Sequence, residues 1–254
     1  MKKWTVNREM MKSHFDTLRT EPSDQDKGVE QPPIELSPPA GSKTIILPDP
    51  SETHLAENDV RSCIQERKSR RKYTEEPLTL EEVSFMLWAT QGVRKTVPAY
   101  SRKGRASLRT VPSGGARHPF ETYLAASNVT GLEPGIYRYS GLSHSLAFLF
   151  SVKDMKKKLS SAALEQIFVG KAPVTFMWSC KPYLGEWRYM GESHKVMLLD
   201  AGHLCQNMYL SAEALKLGTV AIGAYSQKLV DELLQLDGEN EFVVYMAPVG
   251  RVFS

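Results

Sequence analysis

Apolar side chains recur every three to four residues in two long stretches of the chain, and this spacing predicts helices with a buried face. The first stretch runs from Leu78 to Gly92, where Thr79 and Glu82 have the spacing of a capping box and Gly92 suits the end of a helix. The second covers about 191–217 and is apolar around much of its girth. We expect it to be a central helix that is buried on two sides.

Shorter patterns predict further helices and a set of strands. Helices are expected from about Leu55 to the basic run that begins at residue 67, over 152–167, and from a cap at Ser226 to about Leu236. Strands are expected over 120–127, 135–140, 144–150, 172–180 and 241–251. The strands are not separated by regular helical crossovers, which favours an α+β fold over a doubly wound parallel sheet.

Residues 1–50 differ in composition from the rest of the chain. They are mostly polar and include the proline-rich stretch QPPIELSPPAGS. We expect an extended arm that lies on the body of the protein, with the apolar residues TIIL at 44–47 fixing its end. Residues 51–254 are expected to form a single domain.

The overall composition narrows the class of protein. Of the 254 residues, 41% are hydrophobic and 24% are charged, as in ordinary globular proteins, and the net charge of +3 gives no general argument for nucleic-acid binding. The three cysteines are widely spaced, without a CxxC pair or zinc-ligand spacing. The basic N-terminus lacks the apolar stretch of a secretory signal, and no apolar run reaches 18 residues. These features predict a cytoplasmic protein without a metal site or a membrane span.

Two basic segments are candidates for binding chemistry. The first, RKSRRKY at 67–73, combines arginine forks, a lysine and a hydroxyl, which suits a phosphate, although a solvated surface is the alternative. The second, from Arg94 to Arg109, holds six cations and no acid. With Pro98, Tyr100, Ser101 and Gly104 it is predicted to be a mobile loop. Neither segment has regularly interleaved aromatic residues, so nucleic acid is not favoured as a partner.

The stretch RTVPSGGARHPFETY at 109–123 places prolines beside adjacent glycines. Proline fixes the backbone and glycine frees it, so this segment is predicted to lay its backbone against another group.

These motifs together resemble the nitroreductase superfamily. RKSRRKY, PLTLEEVSFMLWATQG, RTVPSGGARHPFETY and GLEPGIYRY occur in the order of that superfamily, and LLDAGHLCQNMYLSAEALKLGTVAIGAY and VVYMAPVGR follow in place. Within the superfamily the order is most similar to the SagB-type dehydrogenase branch, which includes azoline oxidases of peptide-toxin biosynthesis. The resemblance implies a central antiparallel sheet surrounded by helices, and an intertwined homodimer with FMN bound at its interface.

The resemblance also implies roles for particular residues. Arg67, Lys68 and Ser69 match residues that contact the FMN phosphate and ribityl chain, and Arg71 matches the cation at the flavin pyrimidine. The partner protomer would lay a glycine-rich segment against the isoalloxazine, with its amides free to bond the ring. In this chain that segment is Pro112, Ser113, Gly114, Gly115 and Ala116. Many relatives have Asn or His in place of Ala116, so the ring contact of that side chain is expected to be absent, with Arg117 and His118 as partial replacements. The alternative for His118 is a loop histidine bonded to a nearby carbonyl.

Two further positions follow from the same resemblance. The segment 218–225 corresponds to a turn beneath the flavin, where a backbone N–H points at N5, and the candidates are Ile222, Gly223 and Ala224. Arg251 matches a late cation that adds to the phosphate site. His203 and Gln206 lie on one face of the long helix and are candidates for lining the pocket, with a buried, satisfied histidine as the alternative.

The implied activity is that of an FMN-dependent oxidoreductase. A transiently bound NAD(P)H would reduce the flavin, and a small organic acceptor would then take the electrons in a ping-pong cycle. Azoline-oxidising relatives carry Lys-Tyr where this chain has Arg188 and Tyr189. An arginine is a poor general base, which speaks against azoline oxidation, while Tyr189 is a candidate proton donor. A SagB-type tailoring dehydrogenase acting on a heterocyclic or peptide-derived substrate, and a non-catalytic flavin-binding protein, remain alternatives.

Overall fold

The computed structural model of the chain describes residues 8, 10–15, 21–99 and 104–253. Helices flank a central sheet, and their bounds are α1 Val60–Glu66, α2 Leu80–Gln91, α3 Met155–Ala162, α4 Ile167–Lys171, α5 Tyr183–Tyr189, α6 Ser193–Ala214 and α7 Gln227–Leu234. The strands are β1 Thr44–Ile46, β2 Val93–Pro98, β3 Arg105–Arg109, β4 Phe120–Ala126, β5 Gly135–Ser140, β6 Ser145–Phe150, β7 Val174–Cys180, β8 Leu217–Thr219 and β9 Phe242–Arg251.

Within the described residues, seven of these strands form one sheet in the order β1-β6-β5-β4-β7-β9-β8. Each neighbouring pair is antiparallel, as in the pairing of Thr122 with Trp178 between β4 and β7. The predicted α+β class with a central antiparallel sheet is therefore confirmed.

Alternate residues of the strands supply two hydrophobic cores, one on each face of the sheet. On β4, Phe120 and Leu124 pack toward α2 and α6, whereas Tyr123 and Ala125 face the core shared with α3 and α7. This division follows from the period of two in a strand. Both faces of the sheet are thus covered by helices, as the resemblance implies.

The helix with the clearest sequence signal forms where it was predicted. The Thr79 hydroxyl accepts the amide of Glu82, and the Glu82 carboxylate accepts the amide of Thr79, so α2 begins with a complete capping box. Gly92 follows its last residue. Ser226 likewise caps α7 by accepting the amide of Leu229.

Two of the predicted elements differ in the structure. The single helix expected over 152–167 is divided into α3 and α4, because Leu164 and Glu165 both take left-handed backbone angles with φ of 55° and 61°. The segment 94–109, predicted as a mobile loop, instead contains β2 and β3, which pair with each other from Val93 and Arg109 outward. Tyr100 and Ser101 of that prediction lie outside the described residues.

The described part of the first fifty residues lies along the body of the protein. From residue 21 to residue 43 it forms no helix or strand, and β1 then adds to the edge of the sheet beside β6. We call residues 21–43 the arm. Several buried contacts hold it, and they are described below because they reach the candidate site.

Candidate functional site

The basic segment 67–73 lies against the C-terminal half of α6 and the end of β8. Ser69 forms a β-bridge with Thr219, and the Ser69 hydroxyl is 2.9 Å from the hydroxyl of Tyr209. The guanidinium of Arg67 lies 5.1 Å from the centre of the Tyr209 ring. Both Ser69 and Lys68 are exposed, so their polar groups face solvent beside this ring.

The cations of this segment have different surroundings. The Arg70 guanidinium donates two hydrogen bonds of 3.0 and 2.9 Å to the Glu213 carboxylate, which is buried on α6. Arg71 is exposed. Arg70 therefore fixes the segment to the body, and the exposed cations Lys68 and Arg71 together with Arg67 are left to meet an anion.

Tyr209 also joins the basic segment to residues 218–225. Its hydroxyl accepts the backbone amide of Ala221 at 2.9 Å while bonding Ser69. The next amide, of Ile222, donates to the Met246 carbonyl at 2.8 Å, so it is already used within the fold. Gly223 and Ala224 are exposed and remain the candidates for an amide directed at a flavin N5.

The glycine segment 112–116 lies against the other end of α6. Asp200, which is buried, accepts the Gly114 amide through both carboxylate oxygens at 3.3 and 3.1 Å, and it also bonds the Ser113 side chain. Burial raises the pKa of Asp200, and these two hydrogen bonds oppose that effect. The expectation of free amides therefore fails at Gly114, whose N–H is taken by this carboxylate.

The two candidate proton-handling residues contact the same glycine segment. Tyr189 stands so close to Gly115 that a Cβ on that glycine would collide with the phenol oxygen, and Gly115 has a φ of 59°. Arg188 donates weakly to the Gly115 carbonyl at 3.5 Å, and its guanidinium lies 5.2 Å from the Tyr189 ring centre. Phe15 meets the other side of Tyr189 edge-on at 5.8 Å between ring centres.

The residues that follow the glycines are turned into the protein. Arg117 donates to the Leu184 carbonyl at 2.7 Å and stacks over the Trp187 ring, while only 5% of His118 is exposed. Burial lowers the pKa of His118 to about 3, helped by Arg109, and the ring bonds the Ser107 carbonyl. His118 thus fits the alternative of a loop histidine bonded to a carbonyl, and it is neutral near pH 7.

The backbone of Arg251 lies beside the end of the basic segment, since its carbonyl accepts the Thr74 amide at 2.9 Å, but its side chain bonds other residues. Its guanidinium contacts both carboxylate oxygens of Glu82 at 3.1 Å, and it donates to the Pro77 carbonyl. The side chain therefore braces the start of α2, away from Ser69 and Tyr209.

The two groups of candidate residues are separated along one helix. Asp200 and Tyr209 are nine residues apart on α6, which corresponds to about 14 Å. From Leu198 past Asp200 to Gln206, α6 presents an exposed face instead of the two-sided burial that was predicted, with about half of Leu198 and Leu199 accessible. His203 and Gln206 lie on this same exposed face, so His203 is not the buried histidine of the alternative.

Tyr209 and Asp200 were not among the predicted site residues. In the sequence, Tyr209 belongs to the apolar pattern of the long helix, and its bonds reach partners 140 and 12 residues away. Asp200 had one local signal, an acid next to Ala201 on a face that is otherwise buried. Buried charges need partners, and the structure supplies the Gly114 amide and the Ser113 side chain.

Two kinds of feature are not found in the part of the chain that the structure describes. No helix there has the length and apolar character needed to cross a membrane. No cluster of three His, Cys, Asp or Glu side chains there is arranged to hold a metal ion.

The model of the Nitroreductase family matches residues 64–251 of this chain. Among the similar proteins, three that are named putative nitroreductases are the following. MJ1384 of Methanocaldococcus jannaschii is 32% identical over 207 residues, covering 82% of this chain and 96% of that protein. A crystal structure from Anabaena variabilis has a TM-score of 0.72 at 22% identity, covering 96% of this chain and 45% of the other. One from Desulfovibrio desulfuricans, in complex with FMN, has a TM-score of 0.53 at 21% identity, covering 78% and 89%.

Two other similar proteins are a toxin-processing protein and a chain of a microcin synthetase. The trifolitoxin-processing protein TfxB of Rhizobium leguminosarum bv. trifolii is 29% identical over 164 residues, which are 63% of this chain and 44% of TfxB. A chain of the Escherichia coli microcin synthetase complex McbBCD, solved with truncated pro-microcin bound, has a TM-score of 0.59 at 19% identity, covering 83% of this chain and 79% of that one. This chain therefore spans less than half the length of TfxB.

Proposed function

The chain belongs to the nitroreductase family, whose members are flavin-dependent oxidoreductases, and from this premise we propose that it binds FMN and uses NAD(P)H to reduce a small organic acceptor. One observation carries the proposal. Tyr209 brings the exposed Ser69 and the backbone of Ala221 to the same point, beneath the guanidinium of Arg67. The two segments expected to hold opposite ends of a flavin therefore meet in one place.

The residues at this point fit the chemistry of FMN. A phosphate needs several donors that are not already used, and Arg67, Lys68 and Ser69 offer cations and a hydroxyl at the surface. The isoalloxazine ring needs open space next to the backbone that would contact it. At Gly223, no atom lies within 4 Å of the position that a Cβ would take. Arg70 would not take part, since its guanidinium is already paired with the buried Glu213 carboxylate.

The proposal includes a homodimer in which each flavin contacts both chains. The exposed face of α6 carries Leu198 and Leu199 next to Asp200, which bonds the glycine segment, and it continues through His203 and Gln206 toward Tyr209 at the basic segment. If two copies pair antiparallel through this face, the glycine segment of one chain comes next to the basic segment of the other. A two-fold axis generates such a contact with the same patch on both chains.

Within such a site the side chains would have distinct tasks. FMN supplies the electron transfer, by accepting and donating hydride at N5. Arg71, exposed beside the phosphate-binding residues, would stabilise negative charge on the pyrimidine part of the reduced ring. Tyr189, against Gly115, is positioned to give a proton to an acceptor bound over the ring.

The visible absorption spectrum of the full chain reconstituted with FMN tests this function. We expect flavin bands at close to one per chain, which bleach when NADPH or NADH is added without oxygen. A protein that binds no FMN would contradict the proposal. Bound flavin that neither nucleotide reduces would contradict the use of NAD(P)H and favour one of the alternatives.

The phosphate assignment predicts the effect of a double substitution. Arg67→Ala with Ser69→Ala removes a cation and a hydroxyl from the surface beside Tyr209. Charge-assisted hydrogen bonds contribute roughly 1.5–3 kcal/mol each, so FMN affinity should fall by at least tenfold. Fluorescence titration with FMN measures this fall. Lys228→Ala, an exposed lysine of α7, is the control, and equal affinities for the two proteins would contradict the assignment.

A second candidate function rests on the relatives in peptide processing. TfxB is named a trifolitoxin-processing protein, and the McbBCD complex is a microcin synthetase with truncated pro-MccB17 bound. A SagB-type tailoring dehydrogenase would oxidise a heterocycle of peptide origin. Arg188 occupies the place of the lysine in azoline-oxidising relatives, and its guanidinium cannot serve as the base. Under this alternative, an azoline peptide would bleach the bound flavin and nicotinamide would not.

A further inference from the structure

The arm grips the start of the glycine-rich stretch through Arg109. The Arg109 guanidinium is buried, and it donates to the Ile34 carbonyl of the arm at 3.1 Å, to Gln91 and to Ser107. The carboxylate of Glu35 lies 4.0 Å from the same guanidinium, with 4% of the Arg109 side chain and 6% of the Glu35 side chain exposed. Arg109 precedes Pro112 by three residues, so this grip lies at the entry to the glycine segment.

Glu35 is itself held by the body of the protein. Its carboxylate accepts the Ser140 hydroxyl at 2.6 Å, the Gly141 amide at 2.7 Å and the Leu142 amide at 3.3 Å. A buried carboxylate with this many donors occupies a single position. It therefore fixes both the arm and the turn between β5 and β6 relative to Arg109.

The arm makes a second contact, with Trp187, whose ring packs against Arg117 just after the glycine segment. We call the contact at Arg109 the first grip and this contact the second grip. The Gln25 amide donates to the Trp187 carbonyl at 2.9 Å, and the Trp187 indole N–H donates to the Val29 carbonyl at 3.1 Å. The ring of Trp187 then carries the Arg117 guanidinium 4.8 Å from its centre. Arg117 follows Gly115 by two residues, so this second grip lies at the exit from the glycine segment.

Between the two grips, the arm borders a cleft of about 810 Å³, which is lined by arm residues 28–35 together with Gly104, Arg105 and Trp187. One side-chain contact crosses to β3 there, since the Gln31 amide donates to the Arg105 carbonyl at 2.7 Å, and this bond is exposed. The buried contacts of residues 25–35 with Arg109 and Trp187 lie at the two ends of the glycine segment.

We propose that residues 25–35 form a clamp that positions the glycine segment 112–116 from both ends, with Glu35 and Trp187 as the positioning residues. Asp200 holds the middle of the segment at Gly114. Through the clamp, the arm sets the place at which this backbone meets a flavin, a role that rests on the proposed function.

Amide hydrogen exchange in the flavin-free protein tests the clamp independently of any cofactor. Glu35→Gln keeps the shape of the side chain but removes the charge facing Arg109. We expect exchange across 110–118 to become roughly tenfold faster, because hydrogen bonds to charged groups hold the segment closed. Glu133→Gln is the matched control, since that carboxylate pairs with Lys43 near the end of the arm and both side chains are exposed. Unchanged exchange at 110–118 in the Glu35 variant would overturn the proposal.

The second grip supplies a milder variant for the case in which Glu35→Gln fails to fold. Trp187→Phe removes the N–H bonded to Val29 and keeps an aromatic ring beneath Arg117. Exchange at 115–118 should rise more than at 109–112 in this variant, and a uniform rise over the whole chain would overturn the proposal as an effect on stability alone.

The visible circular dichroism of bound FMN separates the clamp from the proposed function. The flavin bands respond to the groups that contact the ring, so the bands of Glu35→Gln should differ from those of the natural chain. The bands of Glu35→Asp should lie closer to those of the natural chain. Faster exchange with an unchanged flavin spectrum would support the clamp and contradict the placement of this segment on the flavin. Unchanged exchange overturns the clamp, whatever the flavin does.

Discussion

Among single side chains, Tyr209 connects the largest number of candidate flavin residues. Its hydroxyl bonds Ser69 and accepts the Ala221 amide, and its ring lies under Arg67. Tyr209→Phe keeps the ring and removes both hydrogen bonds. We expect FMN to bind about tenfold more weakly, because the loss of hydrogen bonds worth about 1 kcal/mol each loosens both segments.

The control for this prediction is Tyr137→Phe, which removes a phenol hydroxyl bonded to the Glu133 carbonyl. Tyr137 lies on β5, which β4, β7 and β9 separate from β8 in the sheet. Both variants should lose comparable thermal stability, and only the Tyr209 variant should lose FMN affinity in a fluorescence titration. Equal affinities would show that the hydroxyl does not organise the site.

Glu121 predicts how stability depends on pH. Burial raises the pKa of this carboxyl from 4.5 to about 7, aided by Glu35 and Glu241 and opposed by Arg138 and Arg109. The folded protein therefore retains a proton that the unfolded chain has released above pH 4.5, so stability falls as the pH rises through 7. The loss amounts to about 3 kcal/mol between pH 5 and pH 8.

Urea unfolding at several pH values checks this prediction. The side chain in Glu121→Gln cannot lose a proton, so this variant should not show the loss of stability that the natural chain shows as the pH rises. Its free energy of unfolding should therefore increase relative to that of the natural chain with rising pH. Parallel pH profiles would show that Glu121 is ionised at neutral pH. The carboxylate also accepts the Leu36 amide, so its state affects the arm directly.

Among the elements, the glycine segment leaves no room for a side chain at Gly114 or Gly115. A Cβ on Gly114 would collide with Val196 of α6. We expect Gly114→Val to lower the free energy of unfolding by roughly 1–3 kcal/mol, since overpacking displaces neighbouring atoms, and to reduce both FMN binding and dimer formation. Gly191→Val is the control, because nothing lies within 4 Å of its Cβ position. A Gly114 variant as stable and as yellow as the control would contradict the placement of this segment.

The sequence predicts the elements whose signals are local. α2 has its cap, its apolar spacing and its final glycine within 14 residues, and the segments that form β4, β5, β6, β7 and β9 are each rich in apolar and aromatic residues. The division of 152–167 could not be predicted, because Leu164 and Glu165 are not residue types that favour a left-handed backbone. The hairpin of β2 and β3 was missed because its two segments, VRKTVP and RASLR, are rich in cations and show no regular alternation of apolar and polar residues.

The candidate site shows the same limit more strongly. The basic segment and the glycine segment stand out through their own composition, whereas Tyr209 and Asp200 act through contacts with residues far away in the chain. No local pattern marks such a residue. Its role follows only from the way in which the helix places it between two segments.

For the whole molecule, the exposed face of α6 predicts the state of association. Leu198 and Leu199 are 51% and 56% exposed, and two charges placed there would face each other across an antiparallel pair. We expect Leu199→Glu to convert a dimer into a monomer and to lose FMN with it, because each flavin would need residues of both chains. Leu229→Glu, on the exposed side of α7, is the control. Light scattering after size-exclusion chromatography measures both masses, and a dimeric Leu199 variant would place the interface elsewhere.

The place of β9 in the sheet sets the order in which the site can assemble during translation. β9 lies between β7 and β8 although it follows both in the chain, and Met246 of β9 holds Ile222 by two backbone hydrogen bonds. Before β9 has emerged from the ribosome, strands β4 to β7 and the long helix α6 can already fold. Residues 219–224 then lack their neighbour in the sheet. Under the proposed function, FMN binding is therefore expected late in the synthesis of this chain, and nascent chains arrested before residue 242 should be partly folded and colourless.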